Sequence, residues 1–392
     1  MAMKKILMLS QTLFPPDIRL EKEIKTLNEA GYNVTVICNK FKRGADIDFQ
    51  YCKIERLSAP FSRQYLNKII NFPIFFNPRF FFKIIGLIVK QKPDFIHAHD
   101  LPMVPLALLM KFFFGISVIY DMHENYPEAL KVFQKKGLVN FIFKNYKLAR
   151  ILDRFCIKYS DKIITVVIEN RQRLVKKGVA PEKITIVSNT VDIGTFAKEK
   201  IDEDVVKEYK NKFVIIYSGR VSPERGLDTP VLSLNYIKDH VPDVLLIILG
   251  DGPSVEPLHH LAGENNVNEF VRFLSWVGHD KINSYLSVAS VCLIPQPGNE
   301  FINTTIPHKL FEYMSLCKPV LVSDAEPLKR IVEETGCGMV FKSNDPKSFA
   351  EQIVKLKNDP EHYGENGRNA VLKKYNWQNE SKNLLELYKN LC

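Results

Sequence analysis

Short aliphatic runs alternate with amphipathic helical patterns along almost the whole chain, and this alternation leaves few folds open. Ile6-Leu7-Met8-Leu9 and Val34-Thr35-Val36-Ile37-Cys38 are too short for buried helices and too apolar for half-exposed strands. Strands of this kind, covered on both faces, belong to parallel sheets whose crossovers are helices. A helical pattern at 17–30 (Leu20, Ile24, Leu27), stopped by Gly31, joins the first two. Further strands are expected at 94–99, 117–120, 162–166 and 184–187, with helices at 104–114 and 151–159. Residues 193–211 are charged and weakly apolar, which reads as a linker. The pattern then restarts, with strands at 213–217, 244–249, 271–274, 291–294 and 320–323. We therefore expect an α/β protein of two Rossmann-like, doubly wound parallel-sheet domains, 1–192 and 212–375, facing a cleft. An amphipathic last helix in 376–392 is expected to pack back toward the first domain.

The net charge of +10 on 392 residues points to an anionic partner. Nucleic acid is not expected, because the basic residues form no stripe and no known binding motif. Seven cysteines, an odd number without a C-x-x-C pair, suit reduced thiols in the cytoplasm. Lys4-Lys5 before Ile6-Leu7-Met8-Leu9 imitates a signal peptide, but the apolar core is too short and no cleavage site precedes Pro15-Pro16. Residues 61–92 are unusual. Phe61, Tyr65, Phe72, Phe75, Phe76, Phe80, Phe81 and Phe82 interleave with Arg63, Lys68, Arg79, Lys83, Lys90 and Lys92. Two readings stand: contact with an anionic membrane surface, which would make the protein peripheral on the inner face of the cell membrane, or a buried helix pair with cations turned to water.

In open parallel sheets ligands gather at the carboxyl ends of the strands, and polar residues cluster there. His97-Ala98-His99-Asp100 ends one strand. Its two histidines share a face, but no third ligand stands nearby in sequence, so capping and hydrogen bonding are expected and a metal is not. His123 and Glu124 end the next strand and suit acid–base work, hydrogen bonding or a helix cap. Gly219-Arg220 and Arg225-Gly226 combine guanidinium groups with glycines that let a backbone come close, the makings of a diphosphate clamp. Gly250-Asp251-Gly252-Pro253 is either a ligand loop or a tight turn. Last comes Asn303-Thr304-Thr305-Ile306-Pro307-His308-Lys309-Leu310-Phe311-Glu312-Tyr313-Met314. Pro307 fits a first helical turn, Thr304 or Thr305 a cap, and the free N–H groups an anion. Glu312 near the helix start is favoured by the dipole whatever its task. No Ser-His-Asp order, phosphate loop, zinc spacing or dinucleotide fingerprint occurs.

Together with Pro16-Asp17-Ile18-Arg19, Tyr120-Asp121-Met122-His123-Glu124 and Asn189-Thr190-Val191-Asp192, these stretches resemble the retaining glycosyltransferases of the GT-B fold, family 4 (group 1). Each is weak alone; seven in the family's order, over nearly the whole chain, are specific. The resemblance implies a nucleotide-sugar donor, UDP- or GDP-linked, held mainly by the C-terminal domain, with no other cofactor and no metal. It gives Arg220 the diphosphate, sets Arg225 where the family usually carries lysine, and makes Glu312 the ribose contact of an E-x7-E motif. The first glutamate of that motif would fall at Thr304, so Asn303, Thr304 and Thr305 become the substitutes toward the donor sugar. Gly219, Gly250, Gly252, Pro307, His308 and Lys309 complete the donor site, and His123 stands near the sugar. Asp17, Arg19, His99 and Glu124 fall to the acceptor side. The implied catalytic set is His123, Arg220, Arg225 and Glu312, acting with retention on a lipid-linked or cell-surface glycan acceptor. The break at Thr304 keeps two alternatives open, a catalytically silent nucleotide-sugar-binding subunit and a nucleotide-sugar epimerase.

Overall fold

The computed structural model describes residues 3–40, 47–58, 77–133, 145–196 and 201–391. It divides into two compact units, Met1–Ser188 with Glu380–Cys392, and Asn189–Asn379. The first unit opens with β1 (Lys5–Leu13), α1 (Ile18–Glu29), β2 (Asn33–Asn39), β3 (Lys53–Leu57) and α2 (Pro78–Gln91). It continues with β4 (Phe95–His99), α3 (Val104–Phe114), β5 (Ser117–Met122), α4 (Tyr126–Val132), α5 (Tyr146–Tyr159), β6 (Lys162–Thr165), α6 (Ile168–Lys176) and β7 (Ile184–Ile186). The second unit starts with α7 (Ile193–Phe196), α8 (Glu203–Tyr209), β8 (Phe213–Ser218), α9 (Asp228–Ile237), β9 (Val244–Leu249) and α10 (Val255–Glu264). There follow β10 (Val271–Leu274), α11 (His279–Ser287), β11 (Val291–Ile294), α12 (His308–Ser315), β12 (Val320–Ser323), α13 (Glu326–Thr335) and β13 (Gly338–Phe341). The helices α14 (Pro346–Asn358), α15 (Pro360–Lys373) and α16 (Trp377–Lys389) complete the chain.

Each unit is a parallel, doubly wound sheet, ordered β3-β2-β1-β4-β5-β6-β7 in the first and β10-β9-β8-β11-β12-β13 in the second. These are two Rossmann-like domains, as the alternation of strands and helices required. Every residue of β4 and of β9 is buried, as the apolar runs require. Strand order reverses between β1 and β4 and between β8 and β11. Such reversals open a crevice at the carboxyl ends of the strands. Right-handed crossovers put α1 on one face of the first sheet and α2, α3, α5 and α6 on the other.

Several sequence expectations need correction. Residues 193–211 are not a bare linker: α8 buries Val205 and Tyr209, and the Asp202 N–H donates to Ser284 Oγ at 2.9 Å. Pro307 caps α12 from outside, with extended backbone at φ −75° and ψ 138°, and no side chain caps that helix. The helix expected at 151–159 starts at Tyr146, because Asn145 accepts from the Leu148 N–H and begins it a turn earlier. Of the aromatic segment 61–92, residues 61–76 lie outside the described residues. In α2 the two readings divide between faces, with Phe80 buried and Phe82 exposed. Among the described residues no helix is long and apolar enough to cross a membrane.

From Glu380 onward the last helix counts with the first unit. Tyr388 is fully buried there, 2.8 Å from His97 Nδ1 through its hydroxyl and ringed by Tyr32 and Phe95. Tyr388→Phe leaves a buried imidazole nitrogen without its partner. Chemical denaturation is expected to show a loss of about 1–3 kcal/mol.

Candidate functional site

In the second unit the loops after β8 and β11 meet at the point of reversal. A Cβ on Gly250 would stand 2.0 Å from the Gly219 carbonyl oxygen, and one on Gly252 would stand 1.9 Å from that of Val221. The backbone after β9 therefore lies directly on the backbone after β8, and Gly250 has a φ of +140° as well. Gly250→Ala is expected to force these loops apart, lowering stability in chemical denaturation by roughly 1–3 kcal/mol.

Over this backbone sit two cations. Arg225 is half-buried; its Nη1 donates to Gln296 Oε1 at 2.9 Å, while its buried Nε has no hydrogen-bond partner among the described residues. Lys309, in the first turn of α12, donates from Nζ to the Ser218 carbonyl at 2.7 Å and lies 4.3 Å over the Tyr217 ring. Its Nζ crosses Gly219, 2.8 Å from where a Cβ would be. Burial, then the charge of Arg225, push the Lys309 ammonium down to about 7 against the opposing pull of Glu312. Two cations that disfavour each other, balanced by one carboxylate, form a site ready for an anion.

The remaining donor residues divide in two. Arg220 is exposed, and its carbonyl accepts from the Tyr217 hydroxyl at 2.7 Å. Thr305, Pro307 and His308 are half-buried at the start of α12, whose loop is tied down by Asn189 Nδ2 donating to the Ile306 carbonyl. Thr304, by contrast, turns its hydroxyl to its own backbone. It is buried, and Oγ1 donates to the Phe301 carbonyl at 2.8 Å. Asn303 likewise serves the protein, accepting from the Glu326 N–H at 3.1 Å.

In the first unit a buried charge cluster stands at the ends of β4 and β5. Arg19 reaches Asp121 through Nε at 3.1 Å and Nη2 at 2.9 Å, Glu23 at 3.1 Å, and the Val187 carbonyl at 3.0 Å. Burial alone would raise the Asp121 carboxyl; Arg19 and then His123 outweigh it and hold it well below the carboxylate range. For Glu23 burial wins, pushing it up to about 7. His99 and His123 both approach Asp121 Oδ2, at 3.2 and 3.1 Å. Burial, aided by His97, drives His99 down to about 3. Burial works against His123 as well, but Asp100 and then Asp121 prevail and hold it up at about 10. His123 is thus the charged imidazole of the pair, with its side chain 23% exposed. Asp100 stands beside it at φ +60° and ψ 159°, a backbone region that costs a non-glycine residue about 1–3 kcal/mol.

This geometry gives two of the acceptor-side candidates partners within the protein. Arg19 is 4% exposed and held by Asp121 and Glu23, which ties α1 to β5. Asp17 caps α1, accepting from the Arg19 and Leu20 N–H groups. Glu124 is half-buried beside His123, and His99 is buried. Glu23, His97, His99 and Asp121 bring four ligand-type atoms within 4.8 Å of one another, a grouping that the sequence hid because α1 and β5 supply the other two. The cation already seated among them is Arg19.

Two family profiles match the chain, Glycosyltransferase Family 4 over residues 20–195 and Glycosyl transferases group 1 over residues 198–372. An uncharacterized glycosyltransferase of Methanocaldococcus jannaschii is 22% identical over 256 residues, and the match spans 64% of each chain, less than two thirds of that relative's length. Sucrose-phosphate synthase from Thermosynechococcus elongatus superposes with a TM-score of 0.79 at 17% identity, covering 99% of both chains. Anabaena HepE, solved in complex with UDP-glucose, gives 0.72 at 16% identity, covering 98% of this chain and 99% of its own. With one profile on each half and a Rossmann-like sheet in each unit, the chain belongs to the family 4, group 1 glycosyltransferases of the GT-B fold.

Proposed function

We propose that the protein moves a sugar from a nucleotide-sugar donor to a glycan or lipid-linked acceptor, with retention and without a metal. The observation that carries this is the second unit's loop pair, where Arg225 and Lys309 flank a backbone into which only glycine fits at 250 and 252. HepE holding UDP-glucose on the same fold supports the donor class. Arg220, Arg225 and the positive end of the α12 dipole oppose the charge that grows on the departing diphosphate. Glu312 takes the ribose. The bond from the anomeric carbon to the diphosphate oxygen breaks while the acceptor oxygen bonds from the same face, and the acceptor proton passes to the leaving phosphate. His123 keeps the role beside the donor sugar that the resemblance gives it, as a cation. The first unit is assigned the acceptor, with Glu124 and His99 toward it and Asp17 and Arg19 behind. An anionic membrane surface met through 61–92 belongs to the same proposal, with Phe82, Val89 and Lys90 exposed on α2.

Calorimetric titration with UDP- and GDP-sugars, followed by mass analysis of acceptor products, tests this. Saturable binding and a glycosylated acceptor are expected, and absence of binding by every donor sinks the donor assignment. Binding without transfer would favour the silent subunit that Thr304 keeps open, and a changed sugar nucleotide without acceptor would favour an epimerase. Proton linkage gives a second check. Lys309 is held down to about 7 when free, and a bound diphosphate raises it, so binding takes up a proton above that pH. Donor affinity is expected to fall by up to about tenfold per pH unit above 7. Lys309→Met should flatten that slope.

A further inference from the structure

The first unit carries an apolar surface that its core does not explain. Along α5, Ala149, Asp153, Cys156 and Ile157 are buried. On the opposite side Ile151, Phe155 and Tyr159 are 64%, 51% and 47% exposed at successive four-residue steps, so they form one ridge. Lys147, Arg150, Arg154 and Lys158 are exposed beside that ridge. The helix has one carboxylate, Asp153, which is buried and accepts from the Tyr120 hydroxyl at 3.0 Å. Its outer face is therefore of a single sign.

The end of α3 adjoins this ridge. Lys111 donates from Nζ to the Tyr159 carbonyl at 3.0 Å and to Asp161 at 2.5 Å. The next three residues, Phe112, Phe113 and Phe114, are 81%, 61% and 43% exposed. Phe112 and Phe113 meet edge to face at 5.3 Å, and Phe155 and Tyr159 pack at 4.6 Å. Consecutive exposed phenylalanines beside an apolar ridge make a patch that an aqueous surface does not favour.

We propose that the α3–α5 face docks on an anionic lipid bilayer, with its rings in the headgroup region and its four flanking cations on lipid phosphates. Charge selects this occupant. A second copy laid on the ridge would set basic flank against basic flank, whereas an anionic bilayer complements all four and accepts the rings below them. The face is separate from residues 61–92, and α2 lies on the same side of the sheet, so the two contacts would act together. No residue of the donor site takes part.

Vesicle flotation of the full chain tests this. The protein is expected to rise with phosphatidylglycerol vesicles at low salt, to be released by high salt, and to stay behind with phosphatidylcholine alone. Arg150→Glu with Arg154→Glu should weaken partitioning by roughly a hundredfold or more. Phe112→Ser with Phe113→Ser should lose retention too, while melting temperature and UDP-glucose binding stay as in the parent. Unchanged flotation in both variants, or no flotation of the parent, overturns the proposal. So does light scattering that shows a dimer which the serine variant turns into a monomer. UDP-glucose binding is scored separately, so a failed donor assignment leaves this result readable.

Discussion

Arg225→Ala is expected to lower kcat/KM for sugar transfer by roughly 10²–10³-fold with little change in melting temperature. The small effect on stability follows from how the side chain is held. A hydrogen bond to Gln296 fixes it at the edge of the reversal, and among the described residues its buried Nε donates to none. A guanidinium kept in place with an unused donor is preorganised for a ligand oxygen, and its removal is felt when negative charge builds there. Arg225→Lys is expected to recover part of the rate, because the charge returns without the planar fork. Lys309 gives an independent readout: once Arg225 is gone, its ammonium should titrate higher and the slope of donor affinity against pH should shift upward. Transfer by Arg225→Ala at the parent's rate would remove the clamp from the mechanism.

Arg19→Ala is expected to cost the first unit about 3–5 kcal/mol, because it strips two buried carboxylates of their shared guanidinium and leaves His123 as the cation beside Asp121. Asp121 and Glu23 come from different elements, and their shared guanidinium joins α1 to β5. The pH dependence gives this loss a signature. Asp121 is depressed, so its contribution is present above the ordinary carboxylate range and lost as pH falls through its folded value. Glu23 and His123 are both raised, to about 7 and about 10. Their contributions are complete below their ordinary values and are lost as pH rises through the folded ones. The parent should therefore weaken from about pH 4.5 to 10, with Glu23 acting up to about 7 and His123 above 6.5, and Glu23→Gln should remove the part of the decline below about 7. In Arg19→Ala the buried Glu23 has lost the cation that most favours its ionised form, so melting temperature should fall as pH is raised from 5 to 8. A flat profile would mean that the cluster opens to water when Arg19 is lost.

Central strands of a parallel sheet announce themselves, which is why both sheets were legible in sequence. β3 was not, because Lys53–Leu57 is an edge strand whose residues are exposed or half-buried and carry charges among the aliphatics. The same physics hid α8, whose few buried residues sit in a strongly charged run. At the candidate site, glycines beside arginines were visible because close backbone approach leaves a compositional mark. Gln296 leaves none, as a neutral side chain at a strand end with no local motif around it. Arg19 was visible, but its role was not: the partner lies 102 residues away, and only the β1–β4–β5 order brings them together. Thr304 stood out as the break in an E-x7-E pattern, yet the direction of its hydroxyl depends on the 3₁₀ turn at Ile302–Thr304.

The return of residues 380–392 to the first unit also sets an order of events during synthesis. The second unit is one unbroken stretch, Asn189–Asn379, and can complete its sheet as soon as that stretch has left the ribosome. The half that is translated first must wait longer. Until Tyr388 emerges, Phe95 lacks its ring partner and His97 its hydroxyl, so the older half holds an unfinished core while the younger one closes. A chaperone that binds exposed apolar surface would find its target in the amino-terminal half until residues 380–392 are made, and a stop codon just before them would damage the half translated first.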